Sequence, residues 1–337
     1  MSNDLRKVAN AMVAKGKGIL AADESHPTIE KRFNSINVST SEEKRRDYRG
    51  MMFTAPNVGD YISGVIMFEE TLGHQTADGV TFPELLEKQG ILPGIKVDRG
   101  AKDLPGYPGE KFTVGLDDLR ERLAGYSKQG AKFAKWRSVI TIGNGMPSRY
   151  VIDVNARGLA HYAALCQEAG IVPIVEPEVL MDADNTMEHC RVVTEITLDA
   201  VFEELSRARV DLEGIVLKPN MVISGKQCAV QASIEEVAAA TVETLKRCVP
   251  ASVPGIAFLS GGQSEQLATE HLNAMNKLGD LPWELTFSYG RALQESGLKA
   301  WGGNSSNIET AQAAFIHRAK CNSAARFGNY SSDMETV

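Results

Sequence analysis

One lysine stands inside an apolar, strand-like stretch of the sequence. Lys218 lies in "GIVLKPNMV", residues 214–222, directly before a proline. Such a lysine either buries its stem and keeps its ammonium group in water, or holds its amine in a dry pocket. In a dry pocket, burial lowers the pKa of the amine and makes it a nucleophile that can attack a carbonyl group. Both interpretations stay open from this stretch alone, because most lysines lie at protein surfaces.

Three further charged residues lie in similar stretches. Lys135 falls in "FAKWRSVI", and Glu176 and Glu178 lie two residues apart in "IVPIVEPEV". If Lys135 lies beside Lys218, charge repulsion and desolvation are both expected to lower a lysine pKa. Residues two apart in a strand point the same way, so the two glutamates can supply one acid and one base. The alternative is that they only balance the lysine charges.

The elements that position these residues show a regular alternation. Eight short runs rich in Ile and Val are separated by segments with helical spacing, one of which carries a capping-box pattern at Ser233 and Glu236. Continuous apolar runs are typical of strands that are covered on both faces. The runs are 18–23, 62–68, 94–98, 133–140, 171–179, 214–221, 255–262 and 284–291.

This alternation predicts an α/β fold, namely a (β/α)8 TIM barrel. We expect one domain over residues 1–337, with an N-terminal helix, barrel strands within about 18–291, and a C-terminal helix and short tail over about 305–337. A doubly wound open sheet is the second possibility, but no GxGxxG motif follows the first strand.

Polar residues collect at the ends of the predicted strands, where barrel active sites lie. Glycine-rich "FLSGGQSE" follows the seventh strand and "SYGRAL" closes the eighth, and these two loops often bind phosphate in barrels. Arg32, Lys96 and Arg137 are candidates for a second anion. The residues at the ends of the runs are Asp23, Lys96, Asp98, Glu176, Glu178, Lys218, Ser260, Ser288 and Arg291, and Lys135 and Arg137 fall within the fourth run.

Composition argues against several classes of protein. A net charge of -7 disfavours nucleic acid as the main partner. The five cysteines form no CxxC pair and the six histidines form no HxH or HExxH motif, so we expect reduced thiols and no metal site. The N-terminal segment has no signal-peptide pattern and no apolar run is long enough to span a membrane. We therefore expect a cytoplasmic protein.

Seven stretches taken together closely resemble class I fructose-1,6-bisphosphate aldolase. They are "ILAADES", "GIKVD", "FAKWR", "IVPIVEPE", "LKPNMV", "FLSGGQSE" and "LTFSYGRALQ", and the resemblance extends from about residue 5 to 328. It implies a metal-independent lyase of glycolysis and gluconeogenesis that needs no cofactor and forms a homotetramer. Its reaction would be the reversible cleavage of fructose 1,6-bisphosphate to dihydroxyacetone phosphate and glyceraldehyde 3-phosphate through a lysine Schiff base.

The resemblance also implies a role for each site residue. Lys218 would form the Schiff base, Glu176 would be the main acid and base, and Glu178 would support it near the Schiff-base nitrogen. Asp23 would handle the hydroxyl proton during cleavage, and Lys135 would stabilise developing negative charge. The first phosphate site would comprise Ser260, Gly261, Gly262, Ser288, Gly290 and Arg291, and the second Ser25, Thr28, Arg32, Lys96 and Arg137.

Two stretches depart from the resemblance. His26, Pro27 and Thr28 stand where the animal enzymes have Thr-Gly-Ser, and we expect Pro27 to stiffen a loop that closes over the second phosphate. The C-terminus lacks the longer tail that ends in tyrosine. Tyr330 is too close to the predicted last helix to reach the barrel mouth, because about four extended residues span at most roughly 14 Å. Proton transfer is therefore expected to rely on Glu176 and ordered water.

Three alternative functions remain open at this stage. A Schiff-base aldolase for another phosphosugar, such as sedoheptulose 1,7-bisphosphate or fructose 1-phosphate, would use the same lysines and glutamates. A non-enzymatic phosphosugar-responsive scaffold is disfavoured by the complete set Lys218, Glu176, Asp23 and Lys135. A metal-dependent aldolase is disfavoured by the spacing of the histidines.

Overall fold

Eight parallel strands close into a barrel, as the sequence predicts. A computed structural model describes residues 2–336, and its barrel order is β1-β10-β9-β8-β7-β6-β3-β2. Two further short strands, β4 and β5, form an antiparallel pair outside the barrel. The strands are β1 Gly18–Ala22, β2 Ile62–Met67, β3 Leu92–Lys96, β4 Ala101–Asp103, β5 Lys111–Thr113, β6 Phe133–Ile140, β7 Val172–Val179, β8 Val216–Leu217, β9 Gly255–Phe258 and β10 Glu284–Tyr289.

Most helices lie between or after the barrel strands and cover the outside of the barrel, whereas α1 precedes the first strand. Ser233 accepts a hydrogen bond from the Glu236 backbone and the Glu236 side chain accepts one in return, which confirms the predicted capping box. The helices are α1 Ser2–Met12, α2 His26–Asn34, α3 Glu42–Phe53, α4 Glu69–Leu72, α5 Phe82–Lys88, α6 Leu119–Lys128, α7 Arg149–Glu168, α8 Met187–Arg207, α9 Ile234–Cys248, α10 Glu265–Lys277, α11 Arg291–Trp301 and α12 Ile308–Ala325.

Two predicted strands are shorter than their apolar runs, and the backbone conformation at their ends explains both differences. The sixth run forms a strand only at Val216–Leu217, because Leu212–Gly214 is a 3-10 turn and Pro219 has no N–H to donate. The seventh strand ends at Phe258, before Gly261 and Gly262, whose φ angles are 53° and 83°. Such angles suit a turn and not a strand.

The barrel interior is filled by side chains from several strands and closed from below by α1. Leu5 and Met12 of α1 belong to the same buried cluster as Ile19 and Phe133. A Cβ on Gly94 would lie 2.2 Å from the Phe133 ring, so this wall must carry a glycine. A second, larger cluster lies between the strands and the outer helices. Burial on both faces explains why the strand sequences are continuously apolar.

None of the helices in residues 2–336 has the length and apolar character needed to cross a membrane.

Candidate active site

A cavity of about 1040 Å³ opens at the C-terminal ends of the barrel strands. All sixteen residues that the sequence singles out as catalytic or substrate-binding line it. Parallel strands bring their carboxyl ends to the same edge, so residues far apart in the chain meet there. They are Asp23, Ser25, Thr28, Arg32, Lys96, Lys135, Arg137, Glu176, Glu178, Lys218, Ser260, Gly261, Gly262, Ser288, Gly290 and Arg291.

Lys218 holds its amine inside the protein and not in water. Its backbone N–H donates to the Val175 carbonyl at 2.8 Å, which fixes it next to β7, and its side chain is 4% exposed. The amine lies 3.2 Å from Oε1 of Glu176. Burial lowers the pKa of Lys218, and the charge of Lys135 lowers it further, although Glu176 opposes them. The geometry therefore favours the nucleophile over the snorkelling lysine.

Lys135 stays a cation, so the expectation of a lowered pKa is wrong for this lysine. Its Nζ lies 3.0 Å from Oδ2 of Asp23 and 3.0 Å from Oε2 of Glu176. Burial disfavours the ammonium group, but the two carboxylates raise the pKa of Lys135 above its ordinary value. The two lysines consequently differ: Lys135 is held charged, and its charge contributes to the lowered pKa of Lys218.

Asp23 follows β1 and is held as a carboxylate. Burial would raise its pKa, but Lys135, Lys218 and Lys96 together bring the pKa to about 2. Asp23 is therefore ionised near neutral pH. It can accept a hydrogen bond or a proton from a substrate hydroxyl group.

Glu176 and Glu178 point into the cavity from β7, as their spacing predicts, but they have different partners. Glu176 lies between Lys135 and Lys218, so the charge-balance interpretation describes its contacts in the free protein. Oε2 of Glu178 accepts a hydrogen bond from Nε of Arg137 at 2.5 Å. Burial works against the charge of Arg137, yet Glu178 raises its pKa. Of these two glutamates, Glu176 is the one in contact with Lys218 and able to exchange a proton with it.

The loops after β9 and β10 form a cradle with the features of an anion site. Gly261 and Gly262 take positive φ angles after Ser260, and Arg291 begins α11, whose N-terminus carries partial positive charge. The buried hydroxyl group of Ser288 has no hydrogen-bond partner among residues 2–336. The cradle therefore offers a charge, a helix terminus and a free hydroxyl group to one ligand.

The residues predicted for the second phosphate divide into two groups. Lys96 contacts Asp98, with its Nζ 2.6 Å from Oδ1, and Arg137 contacts Glu178 as described. Arg32 instead pairs with Glu24 at 2.5 Å and donates to Gln294 at 3.2 Å. Nη2 of Arg32 lies 3.2 Å from the point that a Cβ on Gly290 would occupy. Arg32 therefore lies beside the β10 loop of the first cradle.

Ser25 and Thr28 stand where the sequence departs from the animal enzymes, and this segment is not a loop. Their hydroxyl groups lie 3.1 Å apart. Ser25 precedes α2, and Pro27 lies in the first turn of that helix. A proline is tolerated there because its missing N–H would have no partner in the helix. The expectation of a stiffened closing loop at Pro27 is therefore wrong.

Tyr330 lies away from the cavity. Its backbone N–H donates to Asn273 at 3.0 Å and its hydroxyl group donates to Glu335 at 2.7 Å, and the side chain is buried. The same Glu335 pairs with Arg318 of α12. These contacts tie the C-terminal segment to the outer helices.

Sequence reasoning missed several charged residues that line the cavity, and two of them have contacts at the first cradle. Glu24 is buried and holds Arg32, and Lys226 lies over the first cradle. Glu24 directly follows Asp23, and this was the available signal. No sequence pattern pointed to Lys226, because it lies eight residues past Lys218 in an irregular loop.

A group with metal-ligand chemistry lies outside the cavity. Among residues 2–336, the one set of three or more close potential ligands is His317, Cys321 and Glu335, near the end of α12. Burial raises the pKa of Cys321, and Glu335 is already bound to Arg318 and Tyr330. This donor set does not favour a metal ion, since a thiolate and a free carboxylate would be needed.

Comparison with known proteins gives a consistent result. The profile of the family described as "Fructose-bisphosphate aldolase class-I" matches residues 4–337. The chain is 54% identical over 327 residues to a probable fructose-bisphosphate aldolase class 1 of Xanthomonas campestris pv. campestris, covering 97% of this chain and 98% of the relative. It is also 54% identical to "Fructose-bisphosphate aldolase 4, cytosolic" of Arabidopsis thaliana, covering 97% and 84% of the two chains.

A solved structure has the same fold over nearly the whole length. It is fructose-bisphosphate aldolase from Plasmodium falciparum, in complex with TRAP and a small-molecule inhibitor. The TM-score is 0.97 at 47% sequence identity, with 98% of this chain and 96% of that chain covered.

Proposed function

The chain belongs to the class-I fructose-bisphosphate aldolase family, and from this premise we propose which of its residues carry out the reaction. The protein is a lyase that cleaves fructose 1,6-bisphosphate. The observation that carries the assignment of roles is the buried Lys218 amine, with its lowered pKa, in contact with Glu176 and next to the charged pair Lys135–Asp23.

The first step is the formation of a Schiff base on Lys218. The neutral amine attacks C2 of the open-chain sugar, and Glu176, 3.2 Å away, exchanges the protons needed to expel the C2 oxygen as water. The product is an iminium ion, which withdraws electrons from the neighbouring carbon–carbon bond. A lysine with an ordinary pKa would be mostly protonated near neutral pH and would react slowly.

The second step is cleavage of the bond between C3 and C4. The ionised carboxylate of Asp23 takes the proton from the C4 hydroxyl group, the C3–C4 electron pair moves into the iminium ion, and glyceraldehyde 3-phosphate leaves. Lys135, held charged by Asp23 and Glu176, stabilises the negative charge that develops on the C4 oxygen. Glu176 then returns a proton to C3 of the enamine, and hydrolysis releases dihydroxyacetone phosphate and the free amine.

The phosphate groups orient the sugar between the two ends of the cavity. The cradle of Ser260, Gly261, Gly262, Ser288, Gly290 and Arg291 binds the phosphate on C1, next to the Schiff base. The charges of Lys96 and Arg137, together with the hydroxyl groups of Ser25 and Thr28, bind the phosphate on C6. Glu178 orients Arg137 through its 2.5 Å hydrogen bond. Arg32 lies beside Gly290 and adds positive charge at the C1 end.

Trapping the intermediate tests this assignment. Borohydride reduction in the presence of dihydroxyacetone phosphate should fix a three-carbon phosphate adduct on Lys218, found by peptide mapping. Lys218→Met should lose both the adduct and cleavage, because Lys135, the other buried lysine among residues 2–336, has a raised pKa and stays charged. Lys132→Met is the control, since Lys132 is a partly exposed lysine paired with Glu87 outside the cavity. An adduct on Lys135 or Lys226 would overturn the assignment.

The remaining expectations belong to the same proposal. We propose that residues 1–337 form a single domain, that the protein assembles as a homotetramer, as the family resemblance implies, and that it works in the cytoplasm. The Arabidopsis relative that is described as cytosolic supports the last point. Sedimentation of the purified protein tests the homotetramer.

A further inference from the structure

A lysine that has no role in the proposed mechanism lies directly over the first phosphate cradle. Lys226 is in the loop after β8 and lines the cavity. Its Nζ lies 2.6 Å from the point that a Cβ on Gly262 would occupy, and Nη2 of Arg291 lies 3.5 Å from the same point. The ammonium group and the guanidinium group therefore border the same glycine of the cradle.

The backbone that carries Lys226 is well fixed. Gly225 donates to the Asn185 carbonyl at 2.8 Å, and Lys226 donates to the Met181 carbonyl at 2.7 Å. A Cβ on Gly225 would lie 2.2 Å from the Ala183 carbonyl oxygen, so only glycine allows the two loops to approach this closely. Because the backbone is held on both sides, the flexible part is the side chain of Lys226.

The partner of Lys226 in the free protein is a weak one. Its Nζ lies 2.6 Å from Oδ1 of Asp182, and the side chains of the pair are 43% and 65% exposed. An exposed ion pair contributes about 0–1 kcal/mol, because water competes for both charges. A dianionic phosphate group in the cradle offers more charge than this one carboxylate.

We propose that Lys226 is a further substrate-binding residue, whose ammonium group leaves Asp182 and contacts the phosphate bound at Gly261, Gly262 and Arg291. The inference rests on the proposed function, because it assumes that this cradle binds the C1 phosphate of the sugar. Lys226 then supplies a third cation at this end of the cavity, in addition to Arg291 and Arg32. It contributes to binding and not to chemistry, since the reacting amine is on Lys218.

Steady-state kinetics of Lys226→Met test this role. KM should rise about three- to tenfold, and by a similar factor for fructose 1,6-bisphosphate and fructose 1-phosphate, because both carry the C1 phosphate. We expect kcat to change by less than about twofold, as is typical of an interaction that is equal in the ground and transition states. Lys226→Arg should restore most of the loss because it keeps the positive charge.

Two controls separate binding from a general effect. Lys132→Met removes a lysine of nearly the same exposure, 44%, that pairs with Glu87 away from the cavity, and it should leave KM unchanged. Inorganic phosphate, tested as a competitive inhibitor against fructose 1-phosphate, should bind Lys226→Met more weakly than the wild-type protein by the same factor as the substrates. The difference in phosphate affinity between Lys226→Met and the wild-type protein should shrink as salt is added, since an exposed charge is screened.

The outcomes that would overturn the inference are distinct from those that test the proposed function. An unchanged KM in Lys226→Met, or a KM that rises only for the bisphosphate, would remove Lys226 from the C1 phosphate. A fall in kcat at constant KM would assign it a different role. If the wild-type protein traps its adduct on Lys218 while any of these results is found, only the inference about Lys226 fails.

Discussion

At the scale of single residues, the decisive feature is one carboxylate between two lysines. Glu176 contacts Lys135 at 3.0 Å and Lys218 at 3.2 Å, yet the pKa of the first lysine is raised and that of the second is lowered. The difference comes from Asp23, which gives Lys135 a second negative partner. A lysine with a raised pKa and a lysine with a lowered pKa therefore contact the same carboxylate, and each shift suits one step of the proposed reaction.

Residue-level substitutions should separate the two phosphate sites. Arg291→Ala should raise KM for both fructose 1,6-bisphosphate and fructose 1-phosphate, because losing a charge-assisted contact costs on the order of 1.5–3 kcal/mol. Lys96→Met should raise KM mainly for the bisphosphate, since Lys96 lies on the wall assigned to the C6 phosphate. Comparison of the two substrates on each variant is the measurement. Equal losses on both substrates in Lys96→Met would contradict its placement at that site.

At the scale of elements, the ends of strands and the start of a helix supply several of the active residues. β8 is only two residues long, and Lys218 is the first residue after it, so the amine lies where the strand ends and not within the ladder. α11 begins at Arg291, whose guanidinium group lies next to Gly262 of the first cradle. Lys218 and Arg291 thus come from positions where a strand ends or a helix begins. Lys135 and Glu176, in contrast, lie within the regular strands β6 and β7.

The C-terminal segment provides a prediction at this scale. Tyr330→Phe should keep kcat within about tenfold, a barrier change under about 1.4 kcal/mol, because the hydroxyl group contacts Glu335 and not the cavity. It should lower the free energy of unfolding by about 1 kcal/mol through the lost hydrogen bond. Glu176→Gln, in contrast, should lose far more activity since it removes the proton carrier.

Kinetics and urea unfolding of both variants are the measurements. A hundredfold fall in kcat for Tyr330→Phe, with its fold intact, would show that the tail enters the site. Deleting the tail is a poorer test, because Arg318 would lose Glu335 at the same time.

At the scale of the whole molecule, a buried histidine links stability to pH. His271 of α10 lies 2.5 Å from Gln263 in the loop after β9, and burial lowers its pKa to about 4. An unfolded histidine has a pKa of about 6.5. The contribution of His271 to the free energy of unfolding is therefore complete above about pH 6.5. It is lost as the pH falls towards about 4, because the unfolded chain then binds a proton more readily than the folded protein does.

His271→Gln should remove this dependence of the free energy of unfolding on pH. Between about pH 7 and about pH 5, the wild-type protein should lose about 2 kcal/mol more of its free energy of unfolding than the variant does. Urea unfolding of the two proteins at both pH values measures the difference. Equal losses would mean that His271 is already protonated in the folded protein at the lower pH.

Metal dependence is a second property of the whole molecule. We expect that dialysis against a strong chelator leaves the cleavage rate unchanged, because Lys218 supplies the electron sink. Within residues 2–336, the one candidate ligand group, at His317, lies outside the cavity. A lost rate that zinc restores would contradict the Schiff-base mechanism.

The sequence by itself determined the barrel and the membership of the site. Its eight apolar runs predict the eight barrel strands, because a strand buried on both faces must be apolar throughout. Polar residues at the ends of these runs predict the cavity lining, since the fold brings all strand ends to one face. The β4–β5 pair was missed, and its first strand is fully exposed, so burial leaves no apolar pattern there.

Only the tertiary structure decided which charged side chains are in contact and how each contact shifts their pKa values. Lys135 and Asp23 are 112 residues apart in the chain, and their contact reverses the pKa shift that two neighbouring lysines would otherwise share. The position of Arg32 beside Gly290, the helix at Pro27 and the reach of Lys226 over Gly262 depend equally on packing between distant loops. Pairwise electrostatics act over a few ångströms, and distances of that size are set by the packed fold and not by local sequence.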